Sequence, residues 1–201
     1  MNTRIKKVIC LICALALLFA LTACSKTTSG KTIERGSWSG TTYTNNFAGL
    51  TFNAPADWST YTDEEMANLL KVTSDVYEGS DFAKKMVEVA NVYDMMVSDQ
   101  VGGSNVIVMY ENLTLTAFGQ KLTPEAYLDL LKPQLGSGYE FADGYTEKQI
   151  GQNKYMLLSA TIPGYAMGQT YAVRMEGNYM IGIILTYVDP QTEASLLSYF
   201  S

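Results

Sequence analysis

The 201-residue chain contains no histidine, and its three cysteines, Cys10, Cys13 and Cys24, all fall near its start. Without an imidazole base, neither a Ser-His-Asp nor a Cys-His nucleophilic site can be assembled. Zinc and copper sites built from His and Cys are excluded on the same ground. Positive charge is in short supply: 14 Lys and Arg face 20 Asp and Glu, for a net charge of −6. That balance disfavours nucleic acid and leaves no polybasic patch for anionic lipid. Neither GxGxxG nor GxxxxGK[ST] occurs, so Gly102-Gly103 reads as a hairpin turn and not as a phosphate loop.

What is present begins with an export pattern. Arg4, Lys6 and Lys7 precede an uncharged run of 16 residues, 8–23. This is the order of a secretory signal. A spanning helix needs roughly 20 apolar residues, so the run is short for a permanent anchor. Leu21-Thr22-Ala23-Cys24 resembles the lipobox of bacterial lipoproteins, and Cys24 sits where the apolar run gives way to Ser25-Lys26-Thr27-Thr28. The resemblance implies cleavage between Ala23 and Cys24 and acylation of Cys24, with palmitate-type chains holding the protein to the extracytoplasmic face of the cell membrane. Two acyl chains anchor stably where one is marginal. Cleavage removes three positive charges, so 11 Lys and Arg then face 20 Asp and Glu, a formal charge of −9. Cys24 would be the sole cysteine left, which excludes disulfides within the domain.

Residues 24–40, rich in Ser, Thr, Gly and Lys, read as a lipidated flexible stalk reaching about 20–25 Å. A single α+β domain is expected over 41–201. Residues 43–55 suggest two short strands, with Leu50, Phe52 and Ala54 on one face. Thr62-Asp63-Glu64-Glu65 is a capping box, and Met66, Leu69 and Leu70 supply the buried stripe of the helix it opens. Residues 81–89 suggest a short helix carrying Phe82 and Met86. Segments 92–98 and 105–115 form a hairpin about Gly102-Gly103. Thr123-Pro124 caps and opens another helix, with Tyr127, Leu128, Leu130, Leu131 and Leu135 on its apolar side. Strands follow over 140–150, 154–162, 169–175 and 179–188, with Gly177-Asn178 as a two-residue turn. A terminal helix spans 191–200, with Ala194, Leu197, Tyr199 and Phe200 as packing residues. Short strand-to-strand links predict a mainly antiparallel β-sheet flanked by helices.

The stretch from Phe47 through Leu50-Thr51-Phe52-Asn53-Ala54-Pro55 to Trp58 resembles the strand, proline, turn, tryptophan opening of the PsbP-like fold. The resemblance implies an α/β/α sandwich over roughly 41–201, here preceded by a signal-peptide helix and stalk. It also implies a non-enzymatic, protein-binding scaffold. No family binding residues carry over, because the matching positions are strand, turn and core.

Other constellations have plainer readings. Asp63, Glu64 and Glu65 start a helix; adjacent helical residues point apart and make a poor metal cluster. Asp94 and Asp99 do not fit a Ca²⁺ loop. Asn112-Leu113-Thr114 matches a glycosylation acceptor but falls in an expected strand. Fourteen tyrosines, all after residue 42, suit either strands or a recognition surface. The sharpest candidate contact loop is 162–171, with Tyr165, Met167 and Tyr171. These observations favour a lipid-anchored accessory domain with a protein partner and with no catalysis, cofactor or metal. The alternatives are a small-ligand-binding lipoprotein with a compact pocket and a carboxylate-based hydrolase of envelope glycan.

Overall fold

The computed structural model describes residues 31–99 and 101–201. Strands β1 (Ser37–Ser39), β2 (Thr42–Asn45) and β3 (Leu50–Asn53) form a small antiparallel sheet. After β4 (Ser59–Thr60) come helix α1 (Asp63–Leu70), a 3-10 turn (Ser74–Tyr77) and the short helix α2 (Phe82–Lys85). The hairpin β5 (Asn91–Ser98) and β6 (Asn105–Asn112) leads through one helical turn, α3 (Leu113–Thr116), to α4 (Pro124–Leu135). Strands β7 (Glu140–Phe141), β8 (Thr146–Ile150), β9 (Asn153–Ile162), β10 (Met167–Glu176) and β11 (Tyr179–Tyr187) precede the closing helix α5 (Pro190–Ser198).

Local chemistry accounts for many of these boundaries. The Thr62 hydroxyl accepts from the Glu65 backbone N–H, while the Glu65 carboxylate accepts from the Thr62 N–H, so both orphan donors are satisfied. Thr123 and Asp189 cap α4 and α5 by accepting from the Ala126 and Thr192 N–H groups, each with proline at the first turn. Gly177, at φ 61, supplies the positive angle required by the β10–β11 turn.

The large sheet runs β4-β5-β6-β11-β10-β9-β7, with β8 also paired to β9, and every pairing among the described residues is antiparallel. The fold is thus the expected α+β arrangement, a mainly antiparallel sheet flanked by helices. Alternation divides its side chains between two faces. The first face carries Val92, Met95, Val106, Val108, Tyr110, Ile181, Ile183 and Leu185, and is covered by the small sheet, α1 and α5 through Tyr43, Phe47, Phe52, Met66 and Leu196. The second face carries Leu158, Tyr171, Val173 and Met180 beneath Leu128 of α4. Full burial of a side chain such as Leu128 stabilises by about 1.5–3 kcal/mol.

The structure departs from expectation at several points. The compact unit begins at Lys31, not at residue 41. Ile33 is buried in the first-face core, and Trp38 lies in β1 against the Tyr43 ring. Strand 105–115 stops at Asn112, whose side chain accepts from the Thr114 N–H and turns the chain into α3. The expected strand 140–150 is two pieces, because Gly144 takes a positive φ between them. Leu69, Leu130 and Ala194 are exposed; Ala67 and Leu196 are buried in α1 and α5, and Leu128 is buried in α4 as expected. Among the described residues no helix is long and apolar enough to cross a membrane. The signal, the cleavage pair Ala23 and Cys24, and stalk residues 24–30 lie outside the described residues.

Candidate functional site

The register gathers three loops at one end of the large sheet. Asn105 faces both Ser98 and Thr186, and Gly168 faces Tyr187 and Thr161. The β5–β6 hairpin tip, the end of β11 and the β9–β10 connection therefore stand side by side. Each presents an exposed apolar side chain: Val101 at 98%, Val188 at 48% and Tyr165 at 77% accessibility. At ~4.8 Å per strand, the outer tips stand about 14 Å apart. A shallow groove of about 240 Å³ lies between the β9–β10 connection and the end of β11, lined by Ile162, Pro163, Met167, Tyr187, Val188 and Pro190.

Of the expected contact trio, Tyr165 is exposed, on a 3-10 turn closed by Ala166 at φ 49. Met167 is half-buried in β10 and lines the groove. Tyr171 is not a contact residue: β10 continues through it, alternation points it at the second face, and its hydroxyl donates to Gln169 Oε1. Val101 and Val188 carry no local sequence signal, because only the strand order brings them beside Tyr165.

The opposite end holds the start of the described chain. The Lys31 ammonium donates to the Asn46 carbonyl at 3.3 Å, and Lys31 shares a broad polar depression with Gly49 and Gln152. From there the segment runs inward to a buried carboxylate. A bulge in β5 between Tyr93 and Met95 inserts Asp94, which turns inward together with Met95. Asp94 Oδ2 accepts from the Gly36 N–H at 2.8 Å, from Asn45 Nδ2 at 2.7 Å and from the Tyr43 hydroxyl. Arg35 Nε donates to Asp94 Oδ1 at 3.3 Å. The rest of the guanidinium forks onto Asp63 at 2.7 and 2.8 Å and lies over the Tyr77 ring. The Tyr110 hydroxyl donates to the Glu34 carbonyl at 3.1 Å, so residues 34–36 are fastened from beneath.

This arrangement is a fastening. The donors that hold Asp94 are backbone and side-chain groups of the protein itself, and its carboxylate is buried. Asp63, expected only as a helix start, also tethers Arg35. Asp99 accepts from the Val101 N–H and shapes the hairpin tip. Arg35 lay in the expected stalk, and the one visible signal for Asp94 was an acid inside an otherwise apolar strand.

Burial, and then the Asp94 charge, push the Tyr43 and Tyr110 hydroxyls well above the ordinary tyrosine range. Burial opposes the Arg35 charge, but Asp63 and Asp94 outweigh it and raise the guanidinium pKa. A tyrosine whose folded pKa is raised contributes stability that is complete below the unfolded value near ~10 and is lost as pH climbs above it. With no histidine in the chain, the melting temperature should be flat from about pH 6 to 9 and fall above about pH 10. Thermal melts across that range test this; a transition between pH 6 and 8 would contradict it.

No protein-family model matches the chain. No curated protein matches it either. Among solved structures it is similar to the solution structure of cyanobacterial PsbP (CyanoP) from Synechocystis sp. PCC 6803, at 15% identity over 90% of this chain and 98% of that one, with a TM-score of 0.44.

Proposed function

We propose that the protein is exported, acylated at Cys24 and held at the extracytoplasmic face of the cell membrane, where it binds a protein partner without catalysis. The partner contacts the sheet end that carries Tyr165, Val101 and Val188. The observation behind this reading is the opposition of the two ends. Lys31 lies beside Asn46 and Gln152, whereas the exposed apolar tips crown the other end. Seven peptide steps separate Cys24 from Lys31, a span of at most about 25 Å. A chain acylated at Cys24 thus keeps its Lys31 end within that distance of the anchor and leaves the tips, at the opposite end of the sheet, accessible to a partner. Tyrosine and valine on rigid turns offer contact area at little entropic cost.

Two experiments separate the parts of the proposal. Cys24→Ala should abolish incorporation of labelled palmitate and leave the signal uncleaved; labelling that persists would overturn the anchor. A photoreactive residue at position 165 should crosslink one discrete protein on whole cells, and the same residue at position 152 should not. Equal crosslinking from both positions would overturn the assignment of the contact end.

A further inference from the structure

On the second face, α4 covers β9 and β10 but leaves part of β5, β6 and β11 open. Register places Tyr93 opposite Met109 and Met96 opposite Ile107, and Ile107 faces Ile184; all five are only half-buried. Between this strip and α4 lies a cavity of about 240 Å³. Its floor includes Tyr93, Met109 and Ile184, and its wall includes Tyr127 and Leu131. At ~30 Å³ per water the space holds about eight waters, or a molecule of roughly ten non-hydrogen atoms.

The polar edge of the lining marks the cavity as more than a packing gap. Gly182 lies mid-strand in β11 among Met180, Ile181, Ile183 and Ile184, and it lines the floor. A strand glycine marks a place where something approaches the sheet closely, and here it is the Met109 and Met180 side chains, which stand 3.1 and 3.2 Å from where a Cβ would lie and give the floor its adaptable thioether surface. Glu111 is the only charged residue in the lining. Its Oε2 accepts from the Tyr127 hydroxyl at 2.5 Å, and among the described residues no donor reaches Oε1. Burial and the Glu111 charge hold the Tyr127 hydroxyl in its protonated form.

We infer that this cavity binds a small monocation with an apolar body, an aralkyl- or alkylamine, whose ammonium meets Glu111 and whose hydrocarbon part lies against Met109, Met180 and Ile184. Filling the cavity strips water from Glu111, and the cost is offset only by a ligand that brings a positive donor. A carboxylate or phosphate would meet like charge with no cation in the lining to receive it. The Tyr93 and Tyr127 rings are additional surfaces suited to a cation.

Titration of the processed protein with 2-phenylethylamine, followed by amide chemical shifts, should perturb Tyr93, Met109, Gly182 and Ile184. The amine should bind at least about tenfold more tightly than 2-phenylethanol, as a charge-assisted hydrogen bond implies. 3-Phenylpropionate should not bind. Glu111→Gln should bring amine and alcohol to within about threefold of each other. Gly182→Leu should remove binding of both. Should that variant fail to fold, Glu111→Gln, at a half-buried position, still decides the matter. Equal affinity for amine and alcohol in the parent protein, an amine preference that survives Glu111→Gln, or shifts confined to other parts of the fold would each overturn the inference. Protein crosslinking through position 165 is independent of all these outcomes.

Discussion

Asp94→Ala is expected to lower the unfolding free energy by about 3–5 kcal/mol, the usual range when one partner of a buried charge pair is removed. The carboxylate has donors on both oxygens: the charged Arg35 on Oδ1, and the neutral Gly36, Asn45 and Tyr43 on Oδ2. Alanine strands the Tyr43 hydroxyl in a dry site, takes one of the acceptors of the Asn45 amide, and leaves Arg35 with Asp63 as its sole acidic partner. Each buried donor left without an acceptor costs about 1–3 kcal/mol. Asp94→Asn keeps the shape and part of the bonding, so it should fall between the parent and alanine. Denaturant melts rank the three. If asparagine costs nothing, the charge contributes nothing and the fastening rests on shape and neutral bonding alone; if it costs as much as alanine, the charge carries the whole effect.

The same network predicts what the N-terminal segment does. A chain beginning at Lys31 should match the longer processed chain in denaturant midpoint, whereas one beginning at Ser37 should lose stability on the scale of Asp94→Ala. The second truncation removes the Arg35 guanidinium and the Gly36 N–H. Gly36 is also a steric requirement: a Cβ there would stand 2.3 Å from the Tyr43 ring. That ring is held on its far side by the core, so Gly36→Ala should destabilise as well.

Local signals were legible in the sequence. The Thr62 capping box, the Thr123-Pro124 opening of α4 and the Gly177-Asn178 turn each need only a few neighbouring residues, and all are present in the fold. Hydrophobic periodicity located helices but not the width of the stripe each buries. That is why Leu69 and Leu130 were expected inside and lie outside. The fastening was illegible for a different reason: Arg35 and Asp94 are 59 positions apart, and no period links a polar stretch to an acid in a distant bulge. Tyr165 could be singled out because Pro163-Gly164 forces a turn before it. Tyr171 was misassigned because the loop ends earlier than its spacing suggested, and the strand's alternation takes over at Met167.

The other chain end clamps the same small sheet. Ser201 and Thr51 exchange backbone hydrogen bonds at 2.8 and 2.9 Å, and the Asn53 N–H donates to the Tyr199 carbonyl at 2.9 Å. Phe200 thereby pairs with Phe52 as one more rung beside β3, with ring centroids 4.8 Å apart. Phe200→Ala should cost about 3–5 kcal/mol, since truncating a buried phenylalanine loses its transfer energy and leaves a cavity. Phe52→Ala should cost a similar amount, and the double variant distinctly less than the two together, because both single changes delete the same ring contact. Strict additivity would show that the rings act separately and that the backbone exchange alone holds the terminus. Arg35 and Phe200 thus hold β1–β3 onto the first face from two sides, one by charge and one by packing. Only the charged side should weaken when Asp94 is changed. Phe200→Ala should therefore add fully to Asp94→Ala, with no coupling beyond about 0.5 kcal/mol.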